Sequence, residues 1–117
     1  MDSLESATET AGARLIKRLA IMRRISQRSD WIERILFSPA AEEAAYKLRT
    51  WMDAAGMKTY NDPLTNVYGQ ISFSKDGPDA PRIHVGSHYD TVVNAGAFDG
   101  ILGVLIGIAV VEAIVES

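Results

Sequence analysis

The chain has 117 residues, of which 47% are hydrophobic and 23% charged, with a net charge of −3 and no cysteine. That suffices for one domain with its own core, at the balance of an ordinary soluble globular protein. The charge leaves no global electrostatic case for nucleic acid, and the missing thiols exclude disulfides and thiolate metal sites, so any metal has to sit on nitrogen and oxygen.

Lack of cysteine also fits a cytoplasmic protein. The first residues are acidic and hold no apolar core segment, so they are not a secretory signal. Arg14, Arg18, Arg23, Arg24 and Arg28 resemble a mitochondrial presequence, but Asp2, Glu5 and Glu9 oppose it. No run reaches the roughly 18 apolar residues that span a bilayer, so no membrane partner is expected.

Residues 1–11 are polar and are expected to fray. The spacing predicts a helix over 13–28, with Leu15, Leu19 and Met22 on one face, Ile16 and Ile25 beside them, and the basic residues on a solvated face. Residues 29–37 read as one helical turn or an ordered loop, with Trp31 as a core anchor.

A clearer helix begins at Ser38. Ser38 can cap it, Pro39 suits its first position, and Glu42 and Glu43 lie at the positive dipole end. That placement explains the two glutamates better than a catalytic pair does. Ala44, Leu48, Trp51, Met52 and Ala55 form the stripe to be buried, and Gly56 is the left-handed stop.

Residues 57–60 are short and extended, and Asn61-Asp62-Pro63 is turn chemistry. Residues 67–73 and 82–87 have strand composition. The loop between them, with Asp76-Gly77 and two prolines, predicts that they pair antiparallel. Residues 101–117 form a helix apolar on nearly all sides, which has to be buried between layers. Gly103 and Gly107 line one face for close approach, while Glu112 and Glu116 are expected to face solvent.

Between the last strand and this helix runs GSHYDTVVNAGAFDG, residues 86–100. Strand, polar glycine-containing turn and helix is where an open α/β sheet places its chemistry. If the chain stays extended to Asp90, then His88 and Asp90 share a face. A carboxylate there can orient an imidazole that binds metal. Asp99 lies past a turn containing Gly96 and can fold back as a second ligand. The same residue types also make a plain turn with satisfied polar groups, and fewer than three ligands do not make a zinc site. His84 shares the parity of His88 and is a further candidate, but its place inside the strand favours a packed or edge histidine. The last helix has few strands to bury it and no third ligand follows. Both facts point to the front of a larger catalytic domain.

GSHYDTVVNAGAFDGILGVLIGI resembles the first metal-binding segment of the zinc-dependent amidohydrolases of the hydantoinase/carbamoylase type. Allantoate amidohydrolase and N-carbamoyl-L-amino-acid hydrolase belong to that group. RILFSPA, WMDAAGM and DPLTNVYGQI are similar to its upstream segments. The resemblance implies an α/β fold in which residues 1–117 are the N-terminal part of a zinc-exopeptidase-like three-layer α/β/α catalytic domain, without its lid and dimerisation domain.

It implies His88 as a metal ligand and Asp99 as the carboxylate bridging two divalent ions. Zinc is the first expectation, with manganese, cobalt or nickel as alternatives. Asp90, the candidate catalytic residue, would support His88 from behind. A cis bond is implied at Asp99–Gly100, and Asn66 matches a family position that is left structural. The implied substrate is a small linear amide or ureido compound, hydrolysed by a metal-activated water and a glutamate base, in a full-length homodimer. The base and the remaining ligands are not among these residues, so the chain alone is expected to be inactive. Two other readings stand beside this one: an aminoacylase or dipeptidase of the wider superfamily, and a short non-catalytic metal-binding or interaction module.

Overall fold

The computed structural model describes the backbone of residues 3–117, and the side chains from Ala11 onward except Pro78. Three helices and a small sheet share one core, with principal extents of 45 × 40 × 18 Å. The helices are α1 (Ser3–Arg24), α2 (Pro39–Ala54) and α3 (Ile101–Glu116). Strands β1 (Lys58–Asn61) and β2 (Val67–Gln70) form an antiparallel pair. This mixture is an α/β arrangement, as expected.

Helix α1 differs from the expected 13–28. It is already helical from Ser3, so the expected fraying does not describe its backbone there, while Met1 and Asp2 lie outside the described residues. It ends four residues before the expected boundary, and Arg34 caps that end. The Arg34 Nη1 donates to the carbonyls of Met22 at 2.9 Å and of Ile25, just past the helix, at 2.8 Å. Carbonyls at a helix C-terminus lack the full set of helical partners.

The ends of α2 follow short-range rules. Ser38 has extended φ and ψ, and its hydroxyl accepts from the Ala41 amide at 3.1 Å. Pro39 occupies the first turn with Glu42. Gly56 takes φ 92°, the left-handed stop. Ala40, Ala44, Leu48, Met52 and Ala55 are buried with Met22 and Ile25 of the α1 end and with Ile101, Leu105 and Ile108 of α3.

Two expected surface features are instead internal. Glu112 is only 9% exposed, and both its oxygens receive Arg18, at 2.6 and 3.0 Å. Arg18 also lies over the Trp51 ring, 5.0 Å from its centroid. The pair joins α1 to α3 and abuts α2, so this part of the basic face of α1 is an interface rather than a solvated surface. Only Glu116, bonded to Arg14 at 3.2 Å, is on the exposed side as expected. Trp31 is not a core anchor. It is half-buried, gives its Nε1–H to Glu33 at 3.1 Å, and carries the Arg28 guanidinium 4.5 Å from its ring. Its polar edge and stacked cation hold it at the rim of the protein.

The sheet pairing also departs from expectation. β2 pairs with β1, in the register Tyr60–Tyr68, and not with residues 82–87. The turn between β1 and β2 is shorter than the loop after β2. Asp62 builds it. Its carboxylate accepts from the amides of Leu64 and Asn66 at 3.0 and 2.9 Å, from Asn66 Nδ2 at 2.7 Å and from the Tyr68 hydroxyl at 3.2 Å. The stacked rings of Tyr60 and Tyr68, 4.6 Å apart, close the pair from above. Asn66 thus has the structural task assigned to it.

These donors, the Asn66 side chain first, hold the Asp62 carboxyl below its usual range. A carboxylate depressed in the folded state stabilises above its unfolded pKa and loses that contribution as pH falls through the folded value. Amide-exchange protection at Leu64 and Asn66 is therefore expected to persist at pH about 4, the ordinary aspartate value, and to fade only below it. Protection that collapses at or above that value would contradict this.

Residues 82–90 form neither helix nor strand, and among the described residues they pair with no strand. Ile83 is 93% exposed and Val85 64%. The segment is held from one side by α3. A Cβ at Gly103 would stand 2.8 Å from the Ser87 Cβ, and one at Gly107 3.2 Å from Val85 Cγ1, so the glycines let the Ser87 and Val85 side chains approach the helix closely. No described helix is long and apolar enough to cross a membrane.

Candidate metal centre

His88 and Asp90 project to one side, with their side chains in contact. The His88 Nδ1 lies 3.0 Å from the Asp90 carbonyl oxygen and 3.3 Å from the Asp90 carboxylate. Both neighbours accept, so a neutral ring protonated on Nδ1 satisfies them and leaves the Nε2 lone pair free for a metal. Nε2 faces Asp99 Oδ1 at 4.0 Å. The imidazole stands between the two carboxylates, its Nδ1 edge toward Asp90 and its Nε2 toward Asp99.

A tight reversal brings Asp99 back. The Ile101 amide donates to the Asp99 carbonyl at 2.9 Å, and Gly100 between them has φ 77° and ψ −54°. This is a γ-turn with positive φ at its centre, a strained form that glycine tolerates best. The expected cis bond at Asp99–Gly100 is not present: the described residues contain no cis peptide. The positive φ of Gly100 makes the reversal instead. Gly100 also touches the His88 ring. A Cβ there would lie 2.6 Å from Nε2 and nearer still to Cε1 and Nδ1.

The three side chains are open to solvent, at 52% exposure for His88, 43% for Asp90 and 61% for Asp99. Two ligands on one tetrahedral zinc, with bonds of about 2.0–2.1 Å, sit roughly 3.3 Å apart. The 4.0 Å between Nε2 and Asp99 Oδ1 is a small side-chain rotation from that spacing. The donor types and the bare Nε2 fit a zinc-like ion, but they are two ligands. Among the described residues no group of three or more His, Asp or Glu side chains is placed to hold a metal, so His84, exposed on the unpaired strand, does not complete a set.

The surroundings of Asp90 include one residue that sequence reasoning passed over. Arg34 is 1% exposed, and its Nε donates to the Tyr89 carbonyl at 2.8 Å. Burial pushes its guanidinium below the ordinary value, and the Asp90 charge partly restores it. The available signal was a lone cation within the apolar run WIERILF, residues 31–37. Tyr89 is tied in turn to the β1–β2 turn, its hydroxyl donating to the Thr65 carbonyl at 2.7 Å.

No protein-family model matches the chain. It is 39% identical over 98 residues to allantoate deiminase 1 of Glycine max, a match covering 84% of this chain and 20% of that protein. It is also 39% identical over 88 residues to the N-carbamoyl-L-amino-acid amidohydrolase of Pseudomonas sp. (strain NS671), covering 74% of this chain and 20% of that one. The crystal structure of a hydantoinase/carbamoylase family amidase from Burkholderia ambifaria superposes with a TM-score of 0.80 at 30% identity, over 90% of this chain and 25% of that chain. Fold and sequence together liken this chain to a stretch of proteins named as amidohydrolases and deiminases. Over most of its own length the chain is similar to one stretch of proteins of the hydantoinase/carbamoylase type. It spans about a fifth to a quarter of the length of the relatives it matches.

Proposed function

We propose that residues 1–117 are the N-terminal part of the catalytic domain of a binuclear metal-dependent amidohydrolase. The whole enzyme would cleave a linear amide or ureido C–N bond, as in allantoate or an N-carbamoyl amino acid. One observation carries the proposal: His88 turns Nδ1 to Asp90 and Nε2 to Asp99 in a chain 39% identical to proteins of those two names.

In this reading His88 Nε2 and the Asp99 carboxylate are metal ligands, and Asp99 has the two oxygens needed to bridge. Two divalent ions, zinc by donor type or else manganese, cobalt or nickel, would when bound supply an activated water and Lewis-acid polarisation of the substrate carbonyl. The residues of this chain hold and orient. Asp90 keeps the proton on Nδ1 and so keeps the Nε2 lone pair toward Asp99. Gly100 sets the turn that presents Asp99 and leaves room for the ring. The unpaired edge of residues 82–90 and the exposed Ile106 and Val110 of α3 are where the other strands of such a domain would join.

A zinc titration of the 117-residue chain, followed by NMR, tests the site. Zinc is expected to shift the His88 and Asp99 signals together, with affinity no tighter than micromolar, because catalytic zinc sites use three protein ligands. His88→Ala should abolish the shift. Nanomolar binding, or no response at His88, would overturn the two-ligand site. The polypeptide encoded by the whole reading frame, loaded with zinc, is expected to release ammonia from allantoate or from N-carbamoyl amino acids, while residues 1–117 alone release none. No release by the whole polypeptide from either substrate would remove the substrate class.

A further inference from the structure

Arg34 makes more bonds than the end of a helix requires, and they converge on the two peptide groups that flank Asp90. Its Nε donates to the Tyr89 carbonyl at 2.8 Å, which belongs to the peptide before Asp90. Its backbone carbonyl accepts from the Thr91 amide at 2.9 Å, which belongs to the peptide after Asp90. Its own amide donates to the Thr91 hydroxyl at 2.7 Å. In a trans peptide the N–H and C=O point opposite ways. The plane whose N–H is held by the main-chain carbonyl of residue 34 therefore presents its other edge, the Asp90 carbonyl, to His88 Nδ1 at 3.0 Å, whereas the plane before Asp90 is held by the guanidinium. Fixing both planes fixes φ and ψ of Asp90, and with them the acceptors that decide which ring nitrogen of His88 carries the proton. The far end of the guanidinium is anchored on the carbonyls of Met22 and Ile25, so the clamp is held by the end of α1.

We infer that Arg34 is a positioning residue for the metal centre: its guanidinium holds the Tyr89–Asp90 peptide, completing the main-chain hold on Thr91, so that His88 stays in the tautomer with a bare Nε2 facing Asp99. This rests on the metal-site reading above. A residue buried only for stability would support the core without selecting a tautomer.

The test uses the 117-residue chain with 15N-labelled histidine at pH about 8, where imidazole is neutral. Long-range proton–nitrogen NMR then shows which His88 nitrogen is protonated. In the unsubstituted chain the two ring nitrogens are expected to be well separated, with Nδ1 protonated. Arg34→Lys keeps a cation near the α1 carbonyls but lacks the donor to Tyr89, and Arg34→Met removes both. Each is expected to lose the separation through tautomer averaging while circular dichroism shows the helices retained. Arg18→Met, which breaks the α1–α3 pair far from Asp90 in sequence, is expected to leave the His88 signals unchanged. A folded Arg34→Lys or Arg34→Met with the original tautomer would overturn the inference. So would failure of both variants to fold, which would make Arg34 a fold element only. Zinc added to the unsubstituted chain separates the two readings. No response at His88 removes the metal site, whereas the tautomer comparison alone decides the clamp.

Discussion

Gly100→Ala is expected to destabilise the chain by about 2–6 kcal/mol and to dislodge His88. Two costs add. An L-residue at the centre of a positive-φ γ-turn is strained by roughly 1–3 kcal/mol, and Gly100 sits at φ 77° in the turn that leads into α3. Forcing a methyl into filled space costs about 1–3 kcal/mol more. The space here is filled by the His88 ring, whose Nε2 would be 2.6 Å from the new carbon. The turn cannot relax easily, because Ile101 beyond it is 2% exposed and part of the core. The ring therefore has to give way. Urea unfolding measures the stability, and the zinc response of His88 measures the displacement. Gly96→Ala is the control. It lies in the same segment, its φ is not positive, and a Cβ there meets nothing within 4 Å. It should be neutral or slightly stabilising. Equal losses at Gly96 and Gly100 would mean that segment mobility, and not the contact with His88, governs the site.

Glu112→Ala is expected to cost about 3–5 kcal/mol, the usual result of removing one partner of a buried ion pair. Arg18 would keep its charge at 9% exposure with both of its carboxylate bonds gone. Its stacking on Trp51 offers no negative charge in exchange. Replacing both partners with apolar residues, Arg18→Met with Glu112→Leu, is expected to recover most of the loss, since the desolvation penalty disappears with the charges. The outer arm of the same network behaves differently. Glu116 is exposed and meets Arg14 at 3.2 Å, so Glu116→Ala should change stability by less than about 1 kcal/mol. Denaturant midpoints for the single and double variants check all three. A Glu112→Ala loss no larger than that of Glu116→Ala would show that the pair is hydrated in solution.

What the residues announce by themselves is short-range. The Ser38 cap, Pro39 and Gly56 delimit α2 because capping and left-handed stops need only a few neighbouring atoms. Likewise the period of an extended chain puts His88 and Asp90 on one side, and the glycine-containing turn is short enough to bring Asp99 back toward them. Gly103 and Gly107 announce a close neighbour, and residues 82–90 are that neighbour.

Tertiary structure decided the features whose partners are distant in sequence. Glu112 reads as a solvated residue near a helix end until α1 places Arg18, 94 residues earlier, against it. Arg34 looks like a surface cation in a loop until Tyr89 and Thr91 arrive 55 and 57 residues later. Strand composition alone did not show that β2 pairs with β1 through the Asp62 turn rather than with residues 82–87. Composition and periodicity report the local preference of a residue. Whether a charge is buried depends on which surfaces meet, and in this chain α1, α3 and the extended segment between them had to assemble before Arg18, Arg34 and Glu112 had interior environments at all.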